Sequence, residues 1–193
     1  MAIIFQYGSN LNSERLNSQQ RLRGEARYLG LACTTEPHEL GFTVWSEGND
    51  CAAADLIPGG SQPAWGALYE IPDALVRRES ASGRPSMASI ENEGVEYHCC
   101  RINVCRPDGR PLAEGALTWL AAARRYDLKT EFHYVRHILT GLLDKGVPDD
   151  YLRRVRHSIL QNNARLQSSV DHFIASRDSL REQSVKTDGV VWT

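Results

Sequence analysis

Tyr7-Gly8-Ser9-Asn10-Leu11 is a run of small and polar residues set between an apolar stretch, Ala2-Ile3-Ile4-Phe5, and a polar segment of helical character. Gly8 permits backbone conformations closed to residues with a Cβ, and Ser9 and Asn10 suit turns and caps. Successive main-chain N–H groups in such a turn converge on an anion. The pattern describes an anion cradle at a strand-to-helix junction, although Gly-Ser-Asn taken alone reads as an ordinary strand-to-helix turn. It lacks the lysine of a phosphate-binding Walker loop. His133 and His137 stand at i and i+4, a spacing that binds zinc on a helix. The glutamate of a His-Glu-x-x-His motif is missing, so the pair reads as a solvated helix face. No Ser-His-Asp or Cys-His constellation is evident.

The elements that must hold these residues run as strands first and helices last. Ala2 to Tyr7 reads as a buried strand, and Asn12 or Ser13 caps a short helix carrying Leu16 and Leu22 inward. Tyr28 to Thr34, Phe42 to Trp45, Ala52 to Ile57 and Ala64 to Ile71 have strand length, with Gly48-Asn49-Asp50 and Pro58-Gly59-Gly60 as turns. Pro72-Asp73 marks a brief helix ending near 80–83. Val95 to Cys105 and Leu112 to Leu120 form a hairpin about Pro107-Asp108-Gly109. Phe132 to Lys145 has helical periodicity stopped by Gly146 and Pro148, and Asp149 starts another helix carrying Leu152, Val155 and Ile159. Beyond Asn163, Leu166, Val170, Phe173 and Ile174 continue an amphipathic pattern, and from about 183 the chain turns polar, with Val190, Val191 and Trp192 as its apolar residues.

At 193 residues, 41% hydrophobic and 24% charged, the chain suits one globular domain with a sizeable core. A net charge of −2 argues against a generic nucleic-acid binder, and Arg153, Arg154 and Arg156 read as a solvated helix face. No apolar run approaches the roughly 20 residues that span a bilayer, and the first strand is too short for a signal-peptide core, so a cytoplasmic location is expected. Five cysteines with no Cys-x-x-Cys pair suggest reduced thiols rather than a disulfide framework or a zinc ribbon.

Phe5-Gln6-Tyr7-Gly8-Ser9-Asn10-Leu11 resembles the signature loop of the gamma-glutamylcyclotransferase-like family, which includes the AIG2-like and ChaC-like proteins. Trp65 to Ile71 resembles its central strand, and Leu75-Val76-Arg77-Arg78-Glu79 its helix ending in a catalytic glutamate. Tyr134 to Gly141 and Gly146 to Leu152 resemble its late helical segment. The resemblance covers residues 2 to 160. It implies an α+β fold, a small mixed β-barrel flanked by helices, over 1–160, with residues 161–193 as an added C-terminal helix and tail. Whether that helix caps its own domain or pairs two subunits in a homodimer stays open.

The reaction implied is intramolecular. The α-amine of a gamma-glutamyl group attacks its own side-chain amide, closes a lactam and expels an amine, giving 5-oxoproline. Nucleophile and electrophile share one molecule, so the reaction needs folding of the substrate and proton movement but no cofactor or metal. The partner implied is a small gamma-glutamyl compound, with neither nucleic acid nor membrane. By resemblance Glu79 is the general acid/base, and Gln6, Tyr7, Gly8, Ser9, Asn10, Leu11 and Tyr134 bind substrate. Glu93, in a Glu-Gly-Val context found in some members, is a rival that reads here as a turn residue. The interval from Ile71 to Glu79 is about one helical turn shorter than in many members. Ser86 and Met87 stand where a tyrosine commonly follows the glutamate, and Tyr97 is a candidate replacement. A non-catalytic module binding a small carboxylate or a protein partner is the alternative reading.

Overall fold

The structure is a computed structural model that describes residues 1–77 and 83–187, the side chains of 178–187 excepted. Glu79 therefore lies outside the described residues, as do the end of the segment following Pro72 and the apolar residues of the tail.

Six strands form one curled, mixed sheet, a half-barrel with helices against it. They are β1 (Ala2–Gln6), β2 (Arg27–Ser46), β3 (Cys51–Ile71), β4 (Tyr97–Ile102), β5 (Val104–Cys105) and β6 (Ala116–Ala121), in the order β4-β6-β1-β3-β2-β5. β1 lies near the middle, antiparallel to β3 and parallel to β6. Ile4, Phe5, Leu68, Tyr69 and Ile71 lie at or below 1% exposure, because strands covered on both faces read as continuous apolar runs.

The four segments expected between Tyr28 and Ile71 are two long, bent strands rather than four short ones. Pro58-Gly59-Gly60 does not end a strand. The ladder slips there, from the Pro37–Pro63 pair to the His38–Pro58 pair, and the extra β3 residues bulge outward with Gly59 and Gly60 at positive φ. The helix expected at Pro72 is a single 3-10 turn, Asp73–Leu75.

The helices are α1 (Ser13–Leu16), α2 (Met87–Ile90), α3 (Phe132–Lys145), α4 (Asp149–Asn162) and α5 (Gln167–Thr187). Asn12 caps α1, its Oδ1 accepting from the amides of Glu14 and Arg15, an arrangement worth about 1 kcal/mol. Gly146 ends α3 in the left-handed conformation. The arginines of α4 are less free than a solvated face implies. Arg156 pairs with Asp171 of α5 at 2.7 Å, and Arg154 donates to Pro63 O at 2.9 Å, tying the helix to its neighbours. Leu166 and Val170 join the same core as the sheet, so the segment after Asn163 packs on the rest of the chain.

Candidate active site

β1 delivers the 7–10 loop at its C-terminal end, beside the C-terminal half of its parallel neighbour β6. Thr118 Oγ1 donates to Phe5 O at 3.0 Å and Tyr7 Oη to Trp119 O at 2.5 Å, fixing the start of the loop to β6. The loop closes as a 3-10 turn, Ser9–Leu11, in which Leu11 N donates to Gly8 O. Among the described residues the amides of Gly8, Ser9 and Asn10 make no hydrogen bond, the condition an anion cradle requires.

Ala54 of β3 crosses directly over this loop. Its N–H donates to Tyr134 Oη at 2.9 Å and its carbonyl accepts from Tyr97 Oη at 2.8 Å, so two buried phenols clamp the backbone of this one residue from both sides. A Cβ at position 8 would stand 3.3 Å from Ala54 Cβ and 3.7 Å from Tyr134 Oη, so close approach as well as turn geometry favours glycine there. Burial pushes the phenols of Tyr7, Tyr97 and Tyr134 above their ordinary value, and all three stay protonated at neutral pH.

A small cavity of about 30 Å³ lies at the centre, lined by Gln6, Tyr7, Gly8, Ser9, Asn10 and Tyr134 together with Ala54, Glu91, Tyr97, Thr118 and Trp119. Six of the seven residues expected to bind substrate thus converge. Leu11 does not: its side chain is wholly buried in the core, and its carbonyl accepts from Tyr69 Oη at 3.0 Å.

Among the described residues the carboxylate in this cavity is Glu91. The capping box of α2, with Ser86 and Ser89 bonded reciprocally, buries Met87 and Ala88. Glu91 is four residues after Met87, on the same helix face, and caps the helix with its N–H on Met87 O at 2.9 Å. Its Oε1 accepts from Asn10 Nδ2 at 2.6 Å, and Asn10 Oδ1 accepts from Arg21 Nη1 at 2.8 Å. Desolvation raises the Glu91 carboxyl above its ordinary value, opposed by Arg21 and by the Asn10 hydrogen bond. Glu93 stands apart, accepting from Trp119 Nε1 at 3.4 Å, where the chain turns through Asn92 and Gly94 at positive φ. Tyr97, the candidate replacement phenol, lies in the cavity.

Sequence reasoning passed over Glu91. The available signal was the spacing Ser86-x-x-Ser89 ahead of Met87 and Glu91 on one face.

The histidine pair does not act together. His133 Nε2 is 2.7 Å from Asn49 O, while His137 lines a second cavity and is pushed down to about 4, first by burial and then by Arg15. Among the described residues no three His, Cys, Asp or Glu side chains gather as a metal site, and no helix is long and apolar enough to cross a membrane. All five cysteines are free, Cys33 and Cys51 buried and the others partly so.

Neither a family model nor a curated protein sequence matches this chain. Solved structures do. A human protein described as uncharacterized, loc79017, superposes with a TM-score of 0.68 at 17% identity, over 80% of this chain and 86% of that one. A gamma-glutamyl cyclotransferase superposes with a TM-score of 0.65 at 18% identity, over 80% of this chain and 86% of its own. The fold is gamma-glutamylcyclotransferase-like. YkqA from Bacillus subtilis shares this gamma-glutamylcyclotransferase-like fold with a TM-score of 0.63 at 21% identity, and the match spans 81% of this chain but 54% of YkqA. The half-barrel with flanking helices and a C-terminal helix agrees with the fold expected from the loop motif.

Proposed function

We propose that the chain is a gamma-glutamylcyclotransferase-like enzyme that converts a small gamma-glutamyl compound to 5-oxoproline and a free amine, with Glu91 as general acid/base. The observation carrying this reading is the placement of one desolvated carboxylate against the Gly8-Ser9-Asn10 turn. The substrate's α-carboxylate or its developing oxyanion is held by the free loop amides. Glu91 takes a proton from the α-ammonium; the amine then attacks the δ-carbonyl carbon, and the new C–N bond closes the ring. As the amide C–N bond breaks, Glu91 returns the proton to the departing nitrogen. A carboxyl raised toward neutrality suits both transfers, since it must be ionised at the start and acidic at the end. Tyr97 and Tyr134 hold Ala54 as the wall against which the glutamyl chain folds, and that enforced folding supplies the proximity term. The cytoplasm, where thiols stay reduced, is the proposed compartment, and glutathione belongs to the substrate class tested.

The cavity itself favours a second reading, a module that binds a small carboxylate without turnover, because about 30 Å³ holds only one water-sized group. Under the enzymatic reading the glutamyl chain moves Glu91 outward on entry. The test is 5-oxoproline release from gamma-glutamyl amino acids, glutathione and gamma-glutamyl amines by wild type and by Glu79→Gln, Glu91→Gln and Glu93→Gln. Loss confined to a folded Glu91→Gln protein supports the assignment, and loss confined to either of the others moves the role. Saturable binding of 5-oxoproline with no turnover of any substrate establishes the binding module instead.

A further inference from the structure

A second cavity, of about 750 Å³, opens beside the first, lined in part by Arg15, Arg21, Glu14, Glu47, Glu96 and His137. It meets the active site through the hydrogen-bonded line Arg21–Asn10–Glu91, and Ile90 and Asn92, on either side of Glu91, also line it. Its charges are divided. Arg15 and His137 are both held down, first by burial and then by neighbouring arginines, while burial and the nearby Glu47 raise the Glu96 carboxyl elsewhere on the wall.

Arg15 and Arg21 supply the guanidiniums that line this cavity. Among the described residues neither guanidinium is within ion-pair distance of a carboxylate. Arg21 donates to Asn10, and Arg15 Nη2 donates to Asn49 Oδ1 at 2.8 Å, both neutral acceptors. Among the described residues Arg15 Nε is buried without a hydrogen-bond partner. Burial, followed by repulsion from Arg21, pulls the Arg15 guanidinium down to about 10. Glu91 attracts both guanidiniums without pairing directly with either, so two like charges held together and partly dehydrated stay incompletely compensated, and an anion placed between them lowers that cost.

Resting on the cyclisation reading above, we infer that Arg15, with Arg21, recognises a carboxylate on the leaving portion of the substrate. The substrate class is therefore a gamma-glutamyl amino acid or peptide rather than a gamma-glutamyl amine. Glu91 delivers its proton to the departing nitrogen at the boundary of the two cavities, and a carboxylate carbon two bonds beyond that nitrogen falls on the cationic side. The acidic wall formed by Glu47 and Glu96 repels the same carboxylate and orients it toward Arg15. Binding there also offsets the positive charge that holds the Glu91 carboxyl down, which couples leaving-group recognition to the proton donor.

The decisive comparison uses gamma-glutamylalanine and gamma-glutamylethylamine, which differ by one carboxylate. Wild type is expected to show a KM about ten- to hundredfold lower for the alanine compound, the worth of a hydrogen bond to a charged group. Arg15→Gln raises the KM for the alanine compound and brings the two substrates within about threefold, and Arg15→Lys, which keeps the charge, recovers part of the difference. Equal KM values for the two substrates in wild type overturn the inference and leave the cyclisation reading standing. Calorimetric titration with N-acetylalanine supplies the readout without turnover. Saturable binding that Arg15→Gln abolishes supports the anion site even if neither substrate is turned over, in which case cyclisation alone fails. Binding unchanged in Arg15→Gln, or inorganic phosphate binding more tightly than N-acetylalanine, overturns the carboxylate assignment.

Discussion

Asn10 Nδ2 donates to Glu91 Oε1 across 2.6 Å, although 81 positions separate the two residues in the chain. Loop and acid are thereby one unit: Asn10 is held from behind by Arg21, and Glu91 is presented by the end of a four-residue helix.

Asn10→Ala should lower kcat/KM by about ten- to hundredfold, since a hydrogen bond to a charged group contributes about 1.5–3 kcal/mol. The Asn10 bond holds the Glu91 carboxyl down, so its removal should move the acidic limb of the pH–rate profile to higher pH. A merely structural role for Asn10 would lower the rate without shifting that limb.

Glu91 also sets a pH dependence of stability. Its carboxyl is raised by folding above an ordinary value of 4.5, so the folded protein keeps a proton that the unfolded chain releases. Stability should therefore fall as pH rises from about 4.5 through the folded value, and the loss is complete above it. Glu91→Gln lacks this term. Its Tm relative to wild type should increase between pH 4.5 and 7.5, as measured by thermal melting; a difference that is constant with pH would remove Glu91 as a desolvated acid.

Much of this site was legible in the chain. The strand, loop and cap from Ala2 to Asn12 are local features, each set by residues within a few positions, and Phe132–Lys145 has the bounds its periodicity and Gly146 imply. What was not legible depends on distant pairing. β2 and β3 continue through the segments that interrupt them because each is held by the other, with Pro58 and the two following glycines accommodated as a bulge. Glu91 was obscured for a similar reason: four residues make too little pattern to predict a helix, and only the packed core shows which side of it is buried. The arginines of α4 looked solvated because Asp171 and Pro63, their partners, come from other elements.

Gly141 of α3 packs against the end of the loop at Leu11 and Asn12. A Cβ there would lie 2.5 Å from Leu11 Cδ2 and 2.7 Å from Asn12 N, and the second of these is backbone that cannot rotate away. Gly141→Ala should cost about 1–3 kcal/mol in denaturant unfolding through overpacking, and should reduce turnover by displacing Ser9 and Asn10. A variant as stable and active as wild type would show that the loop tolerates movement.

Asp55, fully buried behind Ala54, joins β3 to the end of β6. It accepts from Ala121 N at 3.0 Å, Arg124 Nε at 2.6 Å and Thr43 Oγ1 at 3.3 Å. Asp55→Ala leaves the Ala121 amide without its acceptor, but Arg124 is about a third exposed and regains water. A loss of about 2–3 kcal/mol is expected, below the 3–5 typical of a fully buried pair. Equilibrium unfolding in urea measures it.

The account stands most directly on the rate at which 5-oxoproline forms from a gamma-glutamyl substrate in wild type and in Glu91→Gln, with both proteins shown to be folded by their melting transitions. A loss of at least about a hundredfold in kcat, the scale of general acid–base catalysis, is the predicted result. A Glu91→Gln protein that forms 5-oxoproline within about threefold of the wild-type rate would contradict it.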